Sequence, residues 1–181
     1  MLTLETKRLT LRSWLKTDVS SYMLLSTDVG YNCFSPPGRF LVRSAEEARE
    51  QIQQRIVLFE TEKLGKFPVF LKATGEFVGT CGMEPFELEG KNEVELGYRL
   101  CLKHWGKGYA QEAAAAILRY GFGTLNRARI MAFVLAQNRA SVRILEHLGF
   151  EDAGEFMHYE LPHRLYEYSR DRFRDPTGSA A

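Results

Sequence analysis

The segment Lys103-His-Trp-Gly-Lys-Gly-Tyr-Ala110 sets two glycines after a strand-like run and directly before an alanine-rich, helix-forming one. Glycines in that position leave backbone N–H groups unshielded at the positive end of a helix, which suits a phosphate or a pyrophosphate. An ordinary tight turn has the same composition, so a bare Gly-x-Gly leaves both readings open. Two familiar nucleotide patterns fail. The dinucleotide fingerprint lacks its third glycine and follows a run of hairpin strands instead of a β-α-β unit. The Walker pattern fails because Lys107 lies between the glycines and no Gly-Lys-Ser/Thr follows. Cys33, Cys81 and Cys101 fall in separate elements without C-x-x-C spacing, and His104, His147, His158 and His163 lack metal-ligand spacing. Neither a thiol nucleophile nor a metal is expected, and His104 reads as a surface residue.

The elements that must position this loop follow from periodicity. Leu4 to Trp14 alternates like a half-buried strand, and Asp18 to Leu25 fits a short helix. Tyr31 to Phe40 is an aromatic loop interrupted by Pro and Gly. Ser44-Ala-Glu-Glu47 matches a capping box, and Ala48, Ile52, Ile56 and Phe59 extend a helix from about Ser44 to Glu60. Lys66–Ala73, Glu76–Glu87 and Asn92–Leu102 read as three antiparallel strands joined at Thr74-Gly75 and Glu89-Gly90-Lys91. A helix then runs from the glycines to Tyr120, followed by a strand over Arg127–Ala136 and a helix over Asn138–His147 closed by Gly149. Phe150–Tyr159 and Leu165–Phe173 form a last hairpin.

With 181 residues, 45% apolar and 26% charged, the chain has the size and mix of one domain over residues 1–174, with 175–181 a frayed tail. A net charge of +1 disfavours a protein that coats nucleic acid, and no apolar run reaches the length that spans a bilayer. Odd, unpaired cysteines fit a reducing compartment, so a cytoplasmic protein without a membrane partner is expected.

Taken together, Lys103-His104-Trp105-Gly106-Lys107-Gly108 resembles the Gln/Arg-x-x-Gly-x-Gly/Ala loop of the GNAT superfamily of N-acetyltransferases, with Lys in the first position. Glu95-Leu-Gly-Tyr98, Gly108-Tyr-Ala-Gln-Glu-Ala113, Asn138-Arg-Ala-Ser141, Leu148-Gly-Phe150 and the opening Glu5-Thr-Lys-Arg-Leu-Thr-Leu-Arg12 are similar to its ribosomal-protein N-terminal acetyltransferase branch. The resemblance implies an α+β fold, a mixed and mostly antiparallel sheet of about seven strands flanked by about four helices. Its fourth and fifth strands would splay apart to hold acetyl-CoA. The edge from Tyr98 to Leu102, with Leu100 and Leu102, would bond the pantetheine amides as an added strand does. Gly106, Lys107, Gly108, Tyr109 and Ala110 would cradle the pyrophosphate, and Asn138 would contact the pantetheine arm. Read from the residues alone, Asn138 is a helix N-cap, and the two roles can coexist.

Acetyl transfer needs a deprotonated amine, a polarised thioester carbonyl and a proton for the leaving thiolate. Glu95, on the strand face of Gly97, can take the ammonium proton directly or through water; otherwise it is a solvated carboxylate paired with Arg99. A backbone N–H near Leu100 would polarise the carbonyl. The resemblance gives the thiolate proton to Ser141, with Tyr159, Tyr166 and Tyr168 as rivals. Direct transfer in a ternary complex is the mechanism implied, to a peptide N-terminus or a small amine entering between Tyr31–Phe40 and Tyr159–Tyr166. A non-catalytic acyl-CoA sensor is the alternative, and monomer and homodimer both remain open. Between Leu96 and Leu145 eight basic residues face the single acidic Glu112, so a basic cofactor side balances an acidic remainder that suits a cationic amine.

Overall fold

The opening stretch, expected as one strand, folds back on itself. β1 (Thr3–Glu5) and β2 (Leu9–Arg12) pair antiparallel with Leu4 opposite Leu11. Thr6 closes the turn, exchanging bonds with Leu9 through both its backbone N–H and its hydroxyl. The computed structural model describes residues 1–35, 41–158 and 160–174. Two of the sequence expectations, the tail over 175–181 and the later half of the loop ending at Phe40, lie wholly or largely outside them.

α1 (Val19–Thr27) begins after Asp18, whose carboxylate takes the Arg12 guanidinium at 2.7 and 2.8 Å instead of capping the helix. α2 (Val29–Asn32) is a single turn capped by Asp28, so the segment from Tyr31, expected as loop, starts in a helix. α3 (Ala45–Glu62) has the Ser44 cap read from the sequence, with Glu47 N–H donating to its hydroxyl at 3.1 Å. β3 (Gly65–Leu71), β4 (Phe77–Leu88) and β5 (Lys91–Leu100) form the expected meander.

After a tight turn come α4 (Tyr109–Arg119), β6 (Arg129–Val134), α5 (Arg139–Leu148), β7 (Glu151–His158) and β8 (Leu161–Ser169). Among the described residues the eight strands make one sheet in the order β1-β2-β3-β4-β5-β6-β8-β7, flanked by five helices. The strand and helix beyond the expected count are the split first strand and α2. Every pairing is antiparallel except β5 with β6.

Strand alternation divides the core between the two faces. Leu9, Phe67, Leu96 and Ile130 pack with Ala113, Ala114 and Ile117 of α4, where alanines let the helix approach the sheet closely. Trp14, Tyr22, Tyr31, Ile52 and Phe77 fill the other face under α1 to α3. No helix among the described residues is long and apolar enough to cross a membrane.

Candidate active site

β5 and β6 run parallel but are in register only at Glu95 and Met131 among the described residues. Beyond that pair they part, and Gly97–Leu100 and Ala132–Leu135 become opposite walls of a cavity of about 820 Å³. This is the expected splay between adjacent parallel strands. It leaves part of the β5 edge without a neighbouring strand, an edge along which an extended ligand can add as a further strand, although the Leu100 carbonyl already accepts from Trp105 Nε1 at 2.8 Å.

The glycine loop closes one end of the cavity. Gly106 and Gly108 have φ of 71° and 75°, left-handed values that a side chain would strain. Gly108 is the N-cap of α4 and supplies no side-chain cap, so the first-turn N–H groups of the helix point out unclaimed by a capping side chain. An anion satisfies such groups and the helix dipole together. The only acid in that turn, Glu112, is directed away. Its carboxylate accepts from Thr6 Oγ1 at 2.6 Å, Arg8 N at 2.8 Å and Arg8 Nε at 2.6 Å. Burial raises its pKa, but these bonds and the Arg8 charge outweigh burial and hold it below the usual carboxylate range. Arg8 also donates to the Lys107 carbonyl at 2.9 Å and lies 4.5 Å from the Tyr109 ring centroid.

Glu95, Leu100, Gly106, Gly108, Tyr109, Ala110, Asn138 and Ser141 all line the one cavity. Two expected residues do not. Leu102 is 53% exposed because β5 ends at Leu100 and the chain turns, and its N–H is taken by Asp28 Oδ1 at 3.0 Å. Lys107 lies in the loop but off the cavity wall. His104, expected at the surface, is instead buried at 3% exposure, since the same turn swings its ring inward toward Tyr109. Burial lowers its pKa against the opposing pull of Glu76.

Glu95 does not pair with Arg99. Its carboxylate meets Lys66 Nζ at 2.7 Å across two strands. Lys66, Gly82 and Gly97 are successive register partners on β3, β4 and β5. The two glycines keep that rung clear, so the lysine lies over the sheet to reach Glu95; a Cβ at Gly97 would overlap its ammonium. Glu93, two residues earlier on β5, pairs with Arg129. Directly opposite Glu95 on β4, Glu84 pairs with Arg55 at 3.0 Å. Burial raises the Glu84 carboxyl, and Lys66 and Arg55 reverse this to a net lowering.

Asn138 is the α5 cap read from the sequence, its Oδ1 accepting from Ser141 N at 3.2 Å while the side chain faces the cavity. Tyr98, which sequence reasoning passed over as a proton carrier, donates to the Ser141 carbonyl at 3.2 Å and ties β5 to α5. Burial pushes its phenol above the usual range. Of the rival tyrosines, Tyr166 and Tyr168 are buried in the core and Tyr159 lies outside the described residues. The expected acceptor segments reach the cavity through Tyr31 and Phe34 on one side and His163 on the other, and His158, just before the second segment, lines it too. Phe86, Phe133, His158 and His163 line the second wall, with Phe156 packed against Phe86 and Phe133 and with Phe133 only 4.2 Å from His158 between ring centroids. Strand alternation alone could have flagged the Phe86 and Phe133 faces, but not their meeting.

Comparison with known proteins agrees with this geometry. The chain is 34% identical over 174 residues to an uncharacterized N-acetyltransferase, p20, of Bacillus licheniformis, covering 88% of each. It is 40% identical to the uncharacterized protein YkkB of Bacillus subtilis over 96 residues, 53% of this chain and 56% of that one. Among solved structures, Mycobacterium smegmatis RimJ in complex with a CoA-disulfide superposes with a TM-score of 0.78 at 21% identity, covering 90% and 82% of the two chains. Spermidine N-acetyltransferase from Vibrio cholerae does so with a TM-score of 0.71 at 20% identity over 92% and 96%. These two share the fold with this chain. The Acetyltransferase (GNAT) domain model matches residues 8–151, and the chain belongs to the GNAT acetyltransferase family.

Proposed function

We propose that this acetyltransferase uses acetyl-CoA as donor and passes the acetyl group directly to a primary amine in a ternary complex. One observation carries the reading: a single cavity joins an open β5 edge, an uncapped helix N-terminus and the candidate groups Glu95 and Ser141. Pantetheine would pair with β5 near Leu100, where a backbone N–H would polarise the thioester carbonyl. The pyrophosphate would sit on Gly106, Gly108, Tyr109 and Ala110, with Asn138 beside the pantetheine arm. Lys107 contributes through its backbone and through charge, and Leu102 is set aside as a contact because its N–H is spoken for.

In this scheme Glu95 receives the ammonium proton directly or through water, and Ser141 returns a proton to the departing thiolate. The amine attacks the carbonyl carbon, the C–S bond breaks, and no covalent enzyme intermediate forms. The acceptor class includes the N-terminal α-amine of a protein and small amines. Fold neighbours bear names of both kinds, a ribosomal L7/L12 alpha-N-protein acetyltransferase and a spermidine N-acetyltransferase, so fold likeness does not choose between them.

Saturating acetyl-CoA, at about 100 times its Kd, should stabilise the protein by about 2.7 kcal/mol, while NAD and ATP do so far less. Thiol release with an amine and peptide panel then tests turnover. Glu95→Ala and Ser141→Ala should each lower turnover by about two to four orders of magnitude and leave coenzyme A affinity intact. An absent acetyl-CoA shift removes the proposal. Binding without turnover of any acceptor leaves a sensing module instead.

A further inference from the structure

We propose that Lys66 is a positioning residue for acetyl transfer, whose ammonium aims one oxygen of Glu95 at the incoming amine. The inference rests on the acetyl-transfer reading with Glu95 as the base, and adds to it the residue that sets the geometry of that base. Lys66 and Glu95 both stand on the cavity wall, with side chains 15% and 13% exposed. At that burial water screens the pair little, so the contact fixes one arrangement in a way that a surface ion pair does not.

An ammonium has three hydrogens, and that of Lys66 has three oxygens about it. Glu95 Oε2 is at 2.7 Å, and the Gly82 and Glu95 carbonyls are each at 3.5 Å. The backbone that carries the side chain is tied as well, since Trp14 Nε1 donates to the Lys66 carbonyl at 2.8 Å. A lysine so surrounded is held as a cation, and its part in the reaction runs through Glu95. Glu84, directly opposite Glu95 on β4, has its own cation in Arg55 at 3.0 Å, and the Lys66 ammonium bonds Glu95.

Lys66 takes only one oxygen of the carboxylate. The other, Oε1, lies over Gly97, where a Cβ would stand 2.7 Å from it and would overlap Lys66 Nζ. Among the described residues no donor is bonded to Oε1. Gly97 is itself part of the cavity wall, so this second oxygen is left at the surface that the acceptor reaches. A glutamate without a partner spreads its carboxylate over several rotamers. The ammonium selects the one that turns Oε2 to the sheet and leaves Oε1 to an incoming amine. A base must lie within about 2.6–3.2 Å of the atom whose proton it takes, and a misplacement of about 1 Å can cost about a hundredfold in rate.

A double-mutant cycle on turnover tests this, read by thiol release with saturating acetyl-CoA and the amine or peptide of the panel that turns over fastest. Lys66→Gln should lower kcat about ten- to a hundredfold, with the acceptor KM within about threefold of wild type and the acetyl-CoA thermal shift retained. Lys66→Arg, which keeps a cation beside Oε2, should recover part of that loss. In the Glu95→Gln background, Lys66→Gln should change kcat by less than about threefold, because no base is left to aim. This last comparison also serves where Lys66→Gln alone fails to fold, since the double variant removes both charges of the pair together. A Lys66→Gln kcat within about threefold of wild type, a loss carried in KM instead, an equal loss in the Glu95→Gln background, or an arginine variant no better than the glutamine one overturns the inference. Lys66 is then a strut between strands, and the acetyltransferase reading stands. A Glu95→Gln enzyme with wild-type kcat removes the base and this inference with it, while acetyl-CoA binding with no amine acetylated removes the transfer reading as well.

Discussion

Glu112 offers a direct test of how the N-terminal hairpin holds the cofactor end of the site. The carboxylate is 17% exposed and accepts three hydrogen bonds, from Thr6 Oγ1, Arg8 N and Arg8 Nε. The first two are part-buried or backbone bonds worth about 1 kcal/mol each. The third is an ion pair whose arginine is 43% exposed, and solvent screening limits it to about 0–1 kcal/mol. Glu112→Ala should therefore cost about 2–3 kcal/mol. For a chain of this size 1 kcal/mol corresponds to about 2–4 °C, so Tm at pH 7 should fall by about 4–12 °C. Glu112→Gln retains an oxygen for Thr6 and Arg8 N and should lose about half as much.

The pH dependence separates charge from packing. The folded-state pKa of Glu112 lies below its unfolded value of about 4.3, so its ionic contribution is complete above that value and disappears as pH falls through the lower, folded one. The Tm gap between wild type and Glu112→Gln should accordingly hold from pH 7 to about 5 and shrink at lower pH. Thermal melts by circular dichroism across that range read it out. A Glu112→Ala melt within 2 °C of wild type at pH 7, or a gap that persists unchanged to pH 3, would refute the reasoning.

Gly82→Ala should cost more than about 3 kcal/mol or prevent folding, because a Cβ there would overlap the Gly65 carbonyl where β3 and β4 approach; Gly123→Ala, with open space at that position, should stay within about 0.5 kcal/mol. Urea denaturation of the two variants compares them. Of the three cysteines only Cys33 is exposed, while burial pushes Cys81 up to about 12 and Cys101 up to about 11. A disulfide reagent at pH 8 should titrate one thiol in the native protein and three in denaturant, and a second fast native thiol would contradict the packing. Tyr98→Phe removes the bond to the Ser141 carbonyl and should lower stability by about 1 kcal/mol, with a smaller loss of kcat than Ser141→Ala. The reverse order in kcat would move the proton donor to Tyr98.

What the sequence made legible was whatever one element decides by itself. Ser44 capping α3, Asn138 capping α5, the meander over β3 to β5 and the uncapped glycines before α4 each depend on residues within a few positions of one another. The electrostatics of the site depend on register instead. Alternation put Glu95 and Arg99 on one face and so suggested that they pair, yet residues four apart on a strand are about 13 Å apart, too far for contact without bending toward each other. The partner that lies close is Lys66, brought over by two glycines on the intervening rung, and no local pattern encodes that rung. The same holds for Arg8 and Glu112, which are joined only because the hairpin β1–β2 packs near the start of α4. Net charge by segment read the acidic remainder of the chain as suited to a cationic acceptor. At the site the two acids on the cavity wall, Glu84 and Glu95, are spent on Arg55 and Lys66. A charge total describes what a surface attracts from a distance, whereas an ion pair within hydrogen-bonding reach decides what the site can still bind.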